Sequence, residues 1–305
     1  MATQYDNVII FGPTGATGSA AAAEAAKRGA KVWLAMRDVN KPIKSLDESS
    51  GHFERIQADL SDSASVKTAI ETSKAKAAYL YQVHAKDAMR ATVAALKEGG
   101  VEYVVLLSSF TIFPEEKARD VPPEKIIPYF HASVEATIED AGLAGTFLRP
   151  GAFAYNTFNQ NVNRQVTPWK ALIPKALPLS DGIVPRDIGR VGGAVLVDRP
   201  STEKTHIIYL YGPKLLTREQ HLQIATQVTG IEIDIEKVVG ETYIQSMVKN
   251  GIPEFVARYL VKADDGHLNE KYYGDGKHEE GVANVEKYSG TRATTFEEFV
   301  KEYLQ

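Results

Sequence analysis

A chain of 305 residues with 44% hydrophobic side chains is long enough to bury a full core. Its 35 basic and 39 acidic residues leave a formal net charge of −4, which excludes the broad basic surface that tracks phosphates along a nucleic acid, so none is expected as a direct partner. The absence of cysteine excludes disulfides, thiolate nucleophiles and zinc–thiolate sites, and no apolar run approaches the roughly 18 residues of a membrane helix.

Asn7 to Phe11 reads as a buried strand, Gly12-Pro13-Thr14-Gly15-Ala16-Thr17-Gly18 as a glycine turn, and the alanine-rich run to Arg28 as a helix. With strand signals already at Asn7, no signal peptide is expected and the protein reads as soluble and cytoplasmic. Each glycine in the turn has its own task. Gly12 permits the tight exit from the strand, Gly15 lets the backbone approach a pyrophosphate, and Gly18 allows close helix–strand packing. Strand, turn and helix in that order are the context that gives a Gly-x-x-Gly-x-x-Gly motif meaning, so a dinucleotide site is expected at Gly12, Thr14, Gly15, Ala16, Thr17 and Gly18.

Beyond Gly29 the apolar runs Lys31 to Met36, Phe53 to Gln57, Ala77 to Tyr81, Val101 to Leu107 and Thr146 to Leu148 read as strands. Helical stretches lie between them near Ser63 to Ser73, Lys86 to Glu98 and Ala132 to Ala141. This alternation predicts an α/β fold of the Rossmann type, a doubly wound parallel sheet over residues 1–150. After Arg149-Pro150-Gly151 the pattern loosens, and Pro168, Pro174 and Pro178 predict a loop-rich cover over the cofactor cleft up to Pro185. Asp187 to Val197 then reads as a helix and His206 to Leu210 as a strand, so residues 184–212 are expected to return to the sheet. Thr217 to Val228, Glu241 to Lys262 and Thr295 to Tyr303 read as further helices. Residues 151–305 are thus expected to build mainly a smaller, interleaved, substrate-facing α/β domain.

The exit of the second strand discriminates between cofactors. An acidic residue there accepts from a ribose 2′-OH, whereas an arginine accommodates a 2′-phosphate. Arg37 at that place predicts NADP(H) in preference to NAD(H), which stays possible because Asp38 follows directly. Lys41 assists if the following turn folds back, and Asp59 is expected to cap a turn beside the adenine.

Ligands of open α/β sheets sit at the carboxyl ends of the strands. Tyr81, Gln82, His84 and Ser108 are therefore assigned to the cofactor, with Pro150 and Phe153 after the sixth strand. Ser109, Tyr129 and His131 are the candidate catalytic groups. His131 either donates a proton or bonds the nicotinamide ribose, or else only fixes the start of a helix. Glu135, one turn on, shares its face and could orient the imidazole. Phe110, Phe113, Tyr155, Asn156 and Trp169 are read as substrate-facing residues in loops that roof the site. His84, His131 and His206 lack metal-ligand spacing, so no metal is expected.

The chain resembles the NmrA-like family of atypical short-chain dehydrogenases/reductases, in its quinone-oxidoreductase-like branch. The resemblance runs almost end to end and rests on Gly12-x-x-Gly15-x-x-Gly18, Arg37, Ala58-Asp59-Leu60-Ser61-Asp62 and Leu106-Leu107-Ser108-Ser109. It continues through His131-Ala132-Ser133-Val134-Glu135, Thr146-Phe147-Leu148-Arg149-Pro150-Gly151, Val184-Pro185-Arg186-Asp187 and Gly290 to Phe299. Ordinary short-chain dehydrogenases carry a tyrosine and a lysine four residues later; here Ser133 stands at that distance from Tyr129, and His131 replaces the lysine of many family members.

The resemblance implies one of two functions. One is an NADPH-dependent reductase acting on a small-molecule substrate, a conjugated and largely apolar quinone, enone or imine. Such an enzyme could serve as a biosynthetic tailoring enzyme. The other is a non-catalytic redox sensor that binds NAD(P) and acts through a protein partner.

Overall fold

The structure, a computed structural model, describes residues 4–176, 178–263 and 268–304. In chain order the elements are β1 (Asn7–Phe11), α1 (Ala16–Lys27), β2 (Lys31–Met36), β3 (Phe53–Gln57), α2 (Ser63–Ser73), β4 (Ala77–Tyr81), α3 (Arg90–Gly99), β5 (Tyr103–Leu107), α4 (Ile126–Asp140) and β6 (Ala144–Pro150). There follow α5 (Asn156–Asn161), β7 (Val162–Asn163), β8 (Trp169–Pro174), β9 (Leu179–Ser180), α6 (Pro185–Val197) and β10 (Thr205–Leu210). The chain continues with β11 (Leu216–Thr217), α7 (Arg218–Thr229), β12 (Ile233–Val238), α8 (Gly240–Lys249), α9 (Glu254–Ala263), α10 (Leu268–Tyr273), α11 (Lys277–Ser289) and α12 (Phe296–Tyr303). They fall into two compact units, one of residues 1–150, 185–210 and 284–291, the other of residues 151–184, 211–283 and 292–305.

The first unit is built on a seven-stranded sheet of order β10-β6-β5-β4-β1-β2-β3, parallel throughout. Strands buried on both faces must read as continuous apolar runs. Asn7-Val-Ile-Ile-Phe11 and Tyr103-Val-Val-Leu-Leu107 do so, and Val8, Ile9, Ile10, Val104, Val105 and Leu106 have no exposed surface. Val66, Ile70, Val93, Leu96, Val134 and Ile138 of α2, α3 and α4 join Ile9, Phe11, Leu80 and Leu106 in one core cluster. α1 and α6 pack backbone to backbone. A methyl at Gly189 would lie 2.3 Å from the Thr17 carbonyl, and one at Gly193 would lie 2.3 Å from that of Ala21. The alanines of α1 therefore serve close approach as well as helix propensity.

The largest boundary differences from the sequence reading in this unit lie at the starts of α4 and α3. α4 begins at Ile126, six residues before Ala132, because Pro128 sits in its first turn, where its missing N–H breaks no helical bond. Residues 86–89 form a turn instead of helix: Ala88 and Met89 take φ of 52° and 62°, and the Asp87 carboxylate accepts from the N–H groups of Met89 and Ala91.

The second unit holds most of the departures. The segment expected as irregular contains α5, β7 and β8, and the two strands join β12 in a three-stranded sheet of order β12-β8-β7. Alternation explains the sheet. Ala171, Ile173, Ile233 and Ile235 enter a cluster with Phe158, Leu222, Phe296, Phe299 and Val300, while Leu172 and Val238 join Tyr243, Ile244 and Met247 of α8 in another. The single helix expected from Glu241 to Lys262 is two, broken at Gly251-Ile252-Pro253, where Gly251 takes φ of 90°. Capping boxes start α7 at Thr217 with Gln220, and α12 at Thr295 with Glu298.

His221 of α7 has no exposed surface, neither of its ring nitrogens has a partner among the described residues, and its ring lies 4.2 Å from that of Phe296. Burial, aided by Arg218, lowers its pKa from 6.5 to about 4. The folded state therefore excludes a proton that the unfolded chain accepts. The resulting stability is complete above 6.5 and is lost as the pH falls toward about 4, by up to about 3 kcal/mol. His221→Leu is expected to raise the thermal midpoint increasingly as the pH falls from about 6.5 toward about 4, and so to flatten the acid side of the stability profile. An equal shift at neutral and acid pH would show that the ring does not titrate on unfolding.

Candidate functional site

In the first unit the strand order reverses between β1 and β4, and a ligand crevice opens at the carboxyl ends of two such strands. Gly12, at the end of β1, takes φ of 73°. A methyl there would stand 2.6 Å from the Tyr81 ring at the end of β4, so that ring lies against the glycine turn. Gly18 is packed still more tightly, since a methyl on it would come within 2.3 Å of the Gly12 carbonyl.

Gly15 is different. Its φ is −87°, open to any residue, and a methyl on it would meet only the Gly12 carbonyl, at 3.5 Å. Nothing in the fold requires glycine there; what a side chain would occupy is the space in front of the α1 amino terminus. No described side chain caps that helix end. An uncapped helix start carries N–H groups and the positive end of the dipole, the requirement for holding a diphosphate.

Arg37 follows β2 and is exposed. Its guanidinium lies close enough to Asp59 and Tyr81 to lower the pKa of both groups, although burial outweighs it at Tyr81. It forms no ion pair with any described residue. The Asp38 carboxylate is turned away, accepting from the Asn40 N–H at 2.9 Å, and the Lys41 N–H bonds back to the Asp38 carbonyl at 3.2 Å. A backbone turn therefore follows Asp38. Asp59 accepts from the N–H and the hydroxyl of Ser61, and these bonds hold its carboxyl below the usual range. An anion cradle, a free guanidinium and a tyrosine ring stand at one sheet edge, and these residues fit a dinucleotide bearing a 2′-phosphate.

Further along the edge the serines are committed to protein partners. The Ser108 hydroxyl donates to the Glu135 carboxylate, and Ser109 closes a turn onto Thr111. Glu135 does not orient His131. It takes a two-pronged bond from Arg149, Nε to Oε1 at 3.1 Å and Nη2 to Oε2 at 2.7 Å, with Glu135 and Arg149 each 1% exposed. Arg149 Nη1 donates onward to the Tyr209 hydroxyl at 2.8 Å, and that hydroxyl donates to the Ile112 carbonyl at 2.9 Å. This network, spanning β5, α4, β6 and β10, fixes the loop that carries Ser109, Phe110 and Phe113. Arg149 is 14 residues from Glu135 and Tyr209 is 60 from Arg149, separations at which no local pattern reveals a pairing.

His84 and Phe130 meet edge to face at 4.8 Å, beside His131. The Nδ1 of His131 is buried without a partner among the described residues, and burial together with the nearby His84 lowers its pKa from 6.5 to about 4. The near-neutral titration assumed from residue type is corrected by this surrounding: the ring is neutral at physiological pH. Tyr129 is 37% exposed, and the Ser133 hydroxyl bonds the Phe130 carbonyl. Gln82 is half-buried after β4, and Pro150 ends β6.

Phe153, Tyr155, Asn156 and Trp169 belong to the second unit. Phe153 and Tyr155 meet edge to face at 5.4 Å. Asn156 opens α5, its N–H bonding the Phe153 carbonyl at 2.9 Å. Trp169 stands on β8, not in a loop, and packs against the unit's core. No group of three or more histidine, aspartate or glutamate side chains able to hold a metal occurs among the described residues, and no helix among them is long and apolar enough to cross a membrane.

The model of the NmrA-like family matches residues 4–300. A nitrogen metabolite regulation-like protein of Gibberella fujikuroi is 33% identical over 97% of this chain and 96% of its own length. Among solved structures, an NADPH-dependent quinone oxidoreductase from Escherichia coli, complexed with NADPH, superposes with a TM-score of 0.73 at 17% identity over 98% of this chain and 100% of that one. NmrA, a negative transcriptional regulator, gives 0.68 at 17% identity over 97% of this chain and 95% of that one. The fold is thus shared by reductases and regulators, and this chain belongs to the NmrA-like family.

Proposed function

We propose that the protein binds NADP(H) and catalyses reduction of a small, conjugated, largely apolar acceptor such as a quinone, enone or imine. The observation that carries this reading is the open cradle at Gly15 beside the unpaired Arg37. The α1 amides would hold the diphosphate, Arg37 and Lys41 the 2′-phosphate, and Tyr81 the side of the glycine turn. NADPH, when bound, supplies the hydride. The protein's part is orientation and exclusion of water, which is where most of the advantage in such reactions arises.

Neither His131 nor Glu135 offers a charged acid: His131 is neutral, its Nδ1 is buried, and the Glu135 carboxylate is held by Arg149 and Ser108. This favours acceptors whose reduced form spreads its charge by conjugation and takes its proton from solvent. It also favours the second reading, a sensor that binds the nucleotide without turnover and acts through a protein partner, which the name of the 33% identical relative supports.

A panel of quinones, enones and imines separates the two. Acceptor-dependent NADPH oxidation supports the reductase; saturable binding without oxidation on any acceptor supports the sensor. Arg37→Ala is expected to weaken NADPH on the order of 10- to 100-fold, the value of one or two charge-assisted hydrogen bonds, and NADH by much less. Equal losses for both nucleotides would remove the 2′-phosphate from Arg37.

A further inference from the structure

The second unit contains a groove of about 1010 Å³ that the first unit's cradle does not explain. Lys170, Leu172 and Glu236 of the three-stranded sheet form its floor, and Phe158 and Val162, at the margin of the Phe158–Phe296 cluster, line its edge beside Arg164. On β8 and β12 the odd-numbered residues Ala171, Ile173, Ile233 and Ile235 enter that cluster, so Lys170 and Glu236 fall on the groove side. One wall is α8, with Thr242, Gln245 and Lys249; the other is the stretch from α5 through β7 to Arg164.

Arg164, Lys170 and Lys249 come from three different elements and line the groove against a single carboxylate, Glu236. None of the three cations forms an ion pair with a described residue. Arg164 is held in place without being neutralised: its guanidinium lies 5.1 Å from the Phe158 ring, 5.6 Å from Trp169 and 5.1 Å from Tyr303, and donates one bond to the Tyr303 hydroxyl at 3.3 Å. A guanidinium stacked on rings keeps its remaining donors available and loses little entropy on pairing, which makes it a preorganised receptor for a carboxylate.

We propose that this groove docks an extended acidic segment of a protein partner, its carboxylates set against Arg164, Lys170 and Lys249. Small-molecule sites usually bury about 70–90% of their ligand within about 300–1,000 Å³ and are largely apolar. This groove is at the top of that range, open to solvent and lined by amides and hydroxyls suited to main-chain partners. Its unpaired cations sit at the start of a strand, the end of a helix and a loop, an arrangement that answers several separate carboxylates better than one compact anion.

The test uses the full chain and a fluorescein-labelled peptide of alternating glutamate and serine, ~12 residues and so about 40 Å when extended, with its glutamine counterpart as control. Fluorescence anisotropy is expected to show saturable binding of the glutamate peptide only, weakening as salt is raised. Lys170→Glu with Lys249→Glu is expected to reduce affinity at least about tenfold, and Lys170→Gln with Lys249→Gln to do so less steeply. Lys67→Glu with Lys76→Glu, an equal change of net charge on the first unit, is expected to leave binding unchanged. Equal loss in that control would overturn the site as non-specific attraction, and no binding of the glutamate peptide would overturn it outright. Displacement by citrate at the peptide's own affinity would assign the groove to small anions instead.

Discussion

Replacing Gly15 by aspartate is expected to abolish NADP(H) binding while leaving thermal stability within about 1 kcal/mol of the parent. Because φ at Gly15 is −87° and a methyl there meets only a carbonyl at 3.5 Å, the backbone accepts a side chain without strain. The new carboxylate would itself cap the α1 amides, a stabilising position for a negative charge, and would occupy and repel the diphosphate. Gly18→Ala should do the reverse. Its methyl would stand 2.3 Å from the Gly12 carbonyl oxygen and 2.9 Å from the carbonyl carbon, both backbone atoms with no easy retreat, so the fold loses stability whether or not nucleotide is present. Nucleotide titration by fluorescence and thermal unfolding, run on both variants, separate the two effects. Near-parental NADPH affinity in the aspartate variant would move the phosphates away from this helix and with them the proposed function.

These contrasting glycines show what a sequence can carry. The motif located the turn, because a strand, a glycine turn and a helix leave a local signature, and β1, β2, β3, β4 and α2 were legible from periodicity alone for the same reason. What each glycine does was only half legible: steric demand at Gly12 and Gly18 comes from neighbours in space, and the freedom at Gly15 is visible only once they are in place. β12 is not legible in the sequence although Ile233-Asp-Ile-Glu-Lys-Val238 partly alternates, since so short a pattern acquires meaning only beside β8. The break at Gly251 and Pro253 is a stronger local signal, masked by helical apolar spacing that continues on either side of it. In the site, Arg37 could be placed from its position after a strand. The partner of Glu135 could not, because the nearest basic residue in sequence says nothing about which strand end faces a helix in the folded sheet.

That partner gives the second large expectation: Arg149→Leu should destabilise the protein by about 3–5 kcal/mol, measured by chemical denaturation. The loss is larger than a surface ion pair can give because the change strands the Glu135 carboxylate, 1% exposed, with only the Ser108 hydroxyl for company. Glu135→Leu combined with Arg149→Leu should recover part of it, since removing both charges also removes the cost of burying them. Full recovery is not expected, because Arg149 also donates to the Ile112 carbonyl and the Tyr209 hydroxyl, and leucine removes both of these bonds. That remainder is the link from stability to the site. With Arg149 gone, the loop bearing Ser109, Phe110 and Phe113 retains the Tyr209 bond to Ile112 and the Phe110 N–H bond to the Pro150 carbonyl but loses its direct bond from the guanidinium. Faster hydrogen exchange over residues 109–113 in the double variant, with the diphosphate cradle still binding nucleotide, is the expected signature. A double variant as stable as the parent and equally protected in this loop would reduce the pair to a replaceable core contact.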